Sequence, residues 1–539
     1  MFNQPLMRLQ GVVVPAASDW TLGDVTVTFS LVMGGFAWGA VFSSYLDRMG
    51  PRLCSVIGGT CLGTGFSLAS VAATAHSLPL LYASGLVWGV ANGVAYVPPI
   101  ANLMRWFPDR KGLASGAVVV GYGAGALVAA PLFERLLGAF RRAPERLGSV
   151  DDVVLTSEHG RLFAQGREVV VALADDAAAF GCDAGVFVVG TGSTGVADAL
   201  LLLGAGYASL MSACALGYRA PPPGFEDAAV LGEHRADKAD AAPVLSASAA
   251  SRTPQFAILY FGFTCASAGA YALISSSKLL LATGFPGIPP ALLTSFVAGT
   301  SAANLTGRLA YSHLSDALGK RRGDAFAGRR AAYSVMWGLA PLGSLGVAAA
   351  IELNAGRHWD GANLPACLFV ASAFVIMSSF GGSAATRPAI VSDMFGAQHT
   401  SALSARQLSA VLPASFIGPR LVAWSGDRAT ESAARELAAM VPDAAFEHAF
   451  AAPRAELSEL LAAKTVTLAR LMELVPEGVR DPQPYVFNDA MLASAGLTLL
   501  ALCVGFFSWC THPRLLNALC FFWGGEKNSH SAAEQPIGR

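Results

Sequence analysis

The strongest constraint on this chain is a succession of eleven apolar runs, centred on 25–46, 53–75, 78–104, 112–137, 196–217, 255–280, 289–313, 331–351, 364–386, 399–424 and 489–511. A helix of roughly 20 apolar residues crosses a hydrocarbon core of about 30 Å. Within lipid every backbone donor and acceptor must be satisfied inside the segment, so the runs are expected to be helices. With 53% hydrophobic and 14% charged residues, the 539-residue chain reads as an all-α membrane protein whose solvent is the bilayer.

The rest of the composition narrows the class by exclusion. A net charge of −1 offers no basic field for nucleic acid. Most of the nine cysteines, among them Cys54, Cys61, Cys214, Cys265, Cys367, Cys503 and Cys510, sit in apolar runs without Cys-x-x-Cys spacing. The nine histidines show no i, i+4 pairing, so neither a metal site nor a cofactor is expected. Near the N-terminus GVVVPAA is too short, and too interrupted by Pro15, for a signal peptide.

The connections divide by side. DRMGPR, RWFPDRKG and SDALGKRRGDAFAGRR are short and basic, which assigns them to the cytoplasm. The Pro- and Ala-rich stretch 218–253 is then a cytoplasmic linker between an N-terminal bundle (1–217) and a C-terminal bundle (254–513), and 514–539 is a cytoplasmic tail. Two long polar insertions, 139–195 and 426–488, fall on the opposite side. ESAARELAAM and AELSELLAAKTVTLARLMELV carry apolar residues at helical spacing, so both insertions are expected to be partly helical.

An internal repeat supports two pseudo-symmetric halves. Ser43, Asp47, Gly50 and Arg52 recur as Ser312, Asp316, Gly319 and Arg321, each 269 residues on. The turn Asp47-Arg48-Met49-Gly50-Pro51-Arg52 and its echo Asp316 to Arg321, with Lys320, resemble the cytoplasmic loop signature of the major facilitator superfamily. There a glycine turn places an acid and bases as a latch between helix ends. The stretch 82–131, with WFPDRKGLASG its most specific part, resembles the oxalate:formate antiporter family, relatives of the monocarboxylate transporters. So do RTPQF (252–256), NLTGRLAYSHLSDALGKR (304–321) and GGSAATRPAIVSDMFG (381–396). The resemblance implies a major facilitator fold of twelve helices. The run at 25–46 corresponds to the second of these, so the first is expected to be missing from this chain.

Two arginines point to the cargo. Arg308 is the one charge between Leu279 and Ser315, and Arg406 the one charge between Met394 and Pro419. An ionised Arg deep in a span costs several kcal/mol, from about 2.5 to over 10, which marks it as functional unless it snorkels. Counting from the cytoplasmic loops at a rise of 1.5 Å per residue puts both roughly 12 to 15 Å deep, and both are expected in the cavity. The resemblance also implies substrate-binding cations on the eighth and eleventh helices, matching these two. Each guanidinium can grip a carboxylate with two parallel hydrogen bonds.

Proton-coupled relatives place an acid four residues before the first of these arginines. Here that residue is Asn304, which weakens proton symport of that type and leaves a relay through His313 as another route. Tyr96 and Tyr122 are expected to line the cavity. Gly112, Gly116, Gly121, Gly123 and Gly125 are expected to let helices approach closely, and Pro98 and Pro99 to kink their helix. VFVVGTGSTGVADALLLL has the outline of a dinucleotide fingerprint, but its helix runs on as an apolar span, so it reads as a lead-in to the membrane. The expectation is a monomeric carrier, not an enzyme, that exchanges small organic carboxylates, with the plasma membrane as the default location. A proton-linked symporter and a non-transporting sensor are the alternatives.

Overall fold

The computed structural model describes residues 2–46, 49–107, 111–178, 180–219, 221–222, 247–395, 400–476 and 478–510. The N-terminal bundle contains α1 (Leu22–Leu46), α2 (Pro51–Thr74), α3 (Leu78–Trp106), α4 (Lys111–Phe140) and α5 (Val196–Gly217). The C-terminal bundle contains α6 (Pro254–Gly284), α7 (Pro290–Arg322), α8 (Ala325–Asn354), α9 (Leu364–Phe395), α10 (Thr400–Leu408), α11 (Val411–Met440) and α12 (Asn488–Cys510). Among the described residues, eight of these helices are long and apolar enough to cross a membrane: α2 to α6, α8, α9 and α12.

The run expected over 399–424 is divided. α10 ends at Leu408, and α11 starts at Val411 and continues to Met440, well into the second insertion. Most of the central linker (223–246) and the tail beyond 510 lie outside the described residues.

Helix ends follow local chemistry. α6 opens with Pro254 at its first position behind a Thr253 cap whose hydroxyl accepts from the Phe256 amide. α7 closes on Lys320, Arg321 and Arg322 followed by Gly323 at φ +64°, a left-handed C-terminal cap with cations on the carbonyl end. Here the structure corrects the expected turn at Gly319. That residue lies inside α7 and serves as a helix contact, since a Cβ on Gly328 of α8 would come within 2.2 Å of the Gly319 amide nitrogen. The turn has moved four residues on, to Gly323. In the first copy Gly50 does occupy a turn, at φ +88°.

Residues 141–195 hold one short helix, Ala174–Ala178, within an insertion that is mainly a sheet not expected from the sequence. They form an antiparallel sheet of β1 (Arg146–Gly148), β2 (Thr156–Glu158), β3 (Arg161–Ala164), β4 (Arg167–Ala172) and β5 (Gly185–Val188), in the order β1-β5-β4-β3-β2. Its registers pair Val170 with Phe187 and Leu162 with Val169. β-branched runs such as Arg167 to Ala172, separated by glycines at positive φ (Gly160 and Gly166), favour hairpins over a helix. One face packs Val169, Val171, Val186 and Val188 together; the other covers Val13 and Val14 of the N-terminal strap. β5 of this sheet leads through Gly195 (φ +78°) into α5, so the fingerprint-like stretch is the lead-in to a helix and belongs to an antiparallel sheet.

The second insertion holds short helices at Asp443–Phe450, Leu457–Ala462 and Leu468–Met472. Its core is Phe446, Phe450, Leu460 and Leu471, continuous with the apolar core of the C-terminal bundle.

Candidate functional site

The two bundles meet along α4 with α7 and along α1 with α11. Where α4 faces α7, Arg308 projects from the middle of α7. Its Nε donates to Asn304 Oδ1, one turn earlier, at 2.9 Å. The i, i+4 spacing puts both on one helix face, and Asn304 is 9% exposed. Gly123 of α4 lies opposite, where a Cβ would stand 3.7 Å from Leu305 and 3.9 Å from Arg308 Nε.

Two further glycines of the α4 run, Gly121 and Gly125, have nothing within 4 Å of where a Cβ would be. These positions open space instead of drawing helices together, as the sequence reading had them do. The surroundings of Gly112, Gly116 and the Pro98 side chain are not described, and α3 continues as a helix through Pro98 and Pro99.

An aromatic wall faces the arginine. Phe36 of α1, Tyr96 of α3 and Tyr122 of α4 form a cluster with ring centroids 5.5 Å (Phe36–Tyr96), 6.5 Å (Phe36–Tyr122) and 5.1 Å (Tyr96–Tyr122) apart. Tyr122 is 48% exposed. The Tyr96 hydroxyl is in polar contact with Arg308. The first bundle thus brings Tyr96 and Tyr122, and the second brings Arg308 and Asn304, to one place.

The second cation at this site is Arg387 of α9. It is 6% exposed, its guanidinium carbon lies 4.6 Å from the centre of the Phe263 ring, and its charge interacts with Arg308, Tyr96, Tyr271 and Tyr333. Its buried Nε has no hydrogen-bond partner, and among the described residues Arg387 forms no ion pair. A cation–π contact contributes about 2 kcal/mol when desolvated, far less than the penalty of burying an isolated charge. The site therefore has unmet demand for an anion. The sequence carried the signal, because Arg387 is the one charge between Asp360 and Asp393. It lies only six residues from Asp393, so depth counting favoured the other two arginines.

Arg406 stands elsewhere. It is exposed on α10, and its Nη1 donates to Ser251 Oγ at 2.8 Å, three residues before α6 begins. Arg406 lies six residues into α10, and its long arm reaches the segment before α6 at the basic-loop end. Among the contacts described, it is not brought to Arg308.

At the basic-loop end Asp316 takes part in a three-helix cluster. Arg329 of α8 lies 3.5 Å from Asp316 of α7 and forms a hydrogen-bonded pair with Asp393 of α9. Neither Arg329 nor Asp393 was singled out from the sequence. Arg329 was hidden in a basic loop where any one cation looks like flanking charge. Lys320 and Arg321 are exposed, and Arg52 donates to the Leu216 carbonyl at 3.1 Å, joining α2 to α5. Asp47 and Arg48 lie outside the described residues.

The opposite end is tied across the bundles. Lys278 of α6 pairs with Glu134 of α4 at 2.7 Å, and Ser30 of α1 donates to the Ser415 carbonyl of α11 at 2.6 Å. Phe29 stacks edge-on against Tyr271 at 5.5 Å.

Comparison with known proteins agrees with this architecture. Residues 4–141 match the model of the Major Facilitator Superfamily. The oxalate:formate antiporter of Oxalobacter formigenes is 31% identical over 138 residues, 25% of this chain and 30% of that protein. Apicoplast pyruvate carrier 1 of Toxoplasma gondii is 30% identical over 131 residues, 24% of this chain and 22% of the relative. Monocarboxylate transporter 13 of Rattus norvegicus is 36% identical over 99 residues, 18% of this chain and 22% of the relative. These matches span less than a third of each relative's length.

The fold extends much further. A bacterial homologue of the human lysosomal transporter Spinster, in an inward-facing and occupied conformation, superimposes with a TM-score of 0.57 at 16% identity, covering 91% of this chain and 90% of that one. The chain is thus similar to the Major Facilitator Superfamily over residues 4–141, and it shares the fold of a solved transporter along nine-tenths of its length.

Proposed function

We propose that this protein carries small organic carboxylates across a membrane by alternating access, exchanging anions of the oxalate and formate type. The observation that carries the reading is Arg387, a buried cation without an anionic partner among the described residues, placed with Arg308 and two tyrosine hydroxyls at the seam between the bundles. A carboxylate would supply the missing charge, accept hydrogen bonds from the guanidinium groups and the hydroxyls, and rest its flat face on Phe36, Tyr96 and Tyr122. The names of the relatives, carriers of oxalate, formate, pyruvate and monocarboxylates, support the same class. In this reading Arg308, Asn304, Tyr96, Tyr122 and Arg387 form the substrate site, and Asp316 with Arg329 and Asp393 forms the latch at the basic-loop end.

Exchange is favoured over proton symport because Asn304, which cannot ionise, accepts the hydrogen bond from Arg308 where a proton carrier would need an acid. The test is uptake of labelled oxalate and formate into proteoliposomes. Stimulation by carboxylate on the far side supports exchange. Uptake driven by a pH gradient alone would replace it with symport, and no flux under either condition would leave a sensor.

A further inference from the structure

The two insertions belong to opposite bundles: residues 141–195 join α4 to α5, and residues 441–487 join α11 to α12. They nevertheless touch. At the β2–β3 turn the Thr465 hydroxyl donates to the Gly160 carbonyl. Gly160, at φ +75°, packs so closely that a Cβ there would come within 2.7 Å of the Glu459 carbonyl oxygen. Ala451 of the second insertion packs on the apolar face of the sheet. Beside these contacts the Lys464 ammonium donates to the Asp19 carbonyl, and its charge also interacts with Asp24 and Asp427.

The partner of Lys464 is a braced segment. The Asp19 carboxylate is buried and accepts from the amides of Gln10, Gly11 and Ala16 at 2.7, 2.8 and 2.9 Å. The Gly190 amide of the sheet insertion donates to the Gln10 carbonyl at 2.8 Å, so the strap and the sheet move as one piece. Lys464 and Thr465, themselves fixed to the second bundle, therefore grip the sheet of the first insertion and the segment that runs into α1.

We propose that the two insertions form a clasp that holds this end of the protein shut and must part before this end can open. The inference rests on the alternating-access reading, in which the bundles rock apart at each end in turn. Opening would pull Gly160 and Asp19 away from Thr465 and Lys464.

The test reads separation of the bundles, not transport. Spin labels at Thr74→Cys (end of α2) and Leu364→Cys (start of α9), with the nine native cysteines replaced, report the gap at the insertion end by pulsed electron-spin distance measurement in nanodiscs. The unaltered clasp is expected to give one short distance. A Lys464→Ala/Thr465→Ala variant removes two hydrogen bonds and should enlarge the longer-distance population about tenfold. Gly160→Val, acting from the other partner, should do the same. If both variants remain monodisperse and keep the single short distance, the clasp is overturned, whatever the transport assay shows. A longer population in a protein that moves no carboxylate would instead retain the clasp and overturn the substrate.

Discussion

At the scale of single residues, the site is a contest between charge and burial. Arg387 is buried against Phe263 with no described acid beside it, and replacing a buried charge by an apolar chain of similar volume is often neutral or stabilising. Arg387→Met should leave the melting temperature of the detergent-solubilised protein unchanged or raise it, while oxalate uptake falls at least about 30-fold, the equivalent of one charge-assisted hydrogen bond to the cargo. A variant that lost stability and transport together would mark Arg387 as structural.

Arg308→Gln should be as damaging to uptake, whereas Arg406→Gln, removing a cation that reaches Ser251 at the basic-loop end, should change uptake by less than about threefold. Equal losses for Arg308→Gln and Arg406→Gln would return Arg406 to the cargo site. Sequence showed which helices carry a lone cation but not where each arm points. Arg406 was out of reach of that reading because α10 starts only at Thr400, six residues before it, and the long arm reaches back to Ser251.

At the scale of elements, hydrophobicity marked the spans and little else. Ten runs appear as single helices close to their expected limits because a segment in lipid has no alternative way to satisfy its backbone. The sheet at 141–195 was not legible. Its strands are three to six residues long, and so short an alternation cannot be told from noise without the register that pairs Val170 with Phe187.

The sheet carries an ion pair whose charge depends on pH. Arg167 donates to both carboxylate oxygens of Glu145 at 2.9 and 2.8 Å and holds that carboxyl below its ordinary value of 4.5. A depressed acid stabilises the fold above its unfolded value, and the stabilisation is lost as pH falls through the lower folded value. Amide protection in β1 and β4, taken relative to the intrinsic exchange rate at each pH, should fall slightly as the pH drops through the lowered value of Glu145, and Glu145→Gln should remove that step.

Helix packing gives a harder test. A Cβ at Gly307 of α7 would sit 2.1 Å from the Ser378 carbonyl oxygen of α9. Gly307→Val should therefore cost about 3 kcal/mol or more and appear as loss of monodisperse protein on gel filtration. Normal yield and melting would show that α7 and α9 do not meet there.

At the scale of the whole molecule, if Arg308 and Arg387 bind cargo as proposed, the same charges govern the cycle. With no anion bound, Arg308 and Arg387 repel each other, and closing the cavity around them would strip water from two cations at once. With a carboxylate bound, the charge is largely neutralised and closure is easier. The loaded carrier should then reorient faster than the empty one, by about tenfold for each 1.4 kcal/mol of difference. In proteoliposomes at equal pH on both faces, efflux of labelled oxalate should rise about tenfold or more when unlabelled oxalate is added outside.

Asn304→Asp separates this cause from any other. A carboxylate one turn from Arg308 would neutralise it in the empty state, so net efflux should rise, trans-stimulation should shrink, and flux should become sensitive to pH as the new acid titrates. Unchanged trans-stimulation in Asn304→Asp would show that something other than the unpaired arginines couples outward movement of one anion to inward movement of the next.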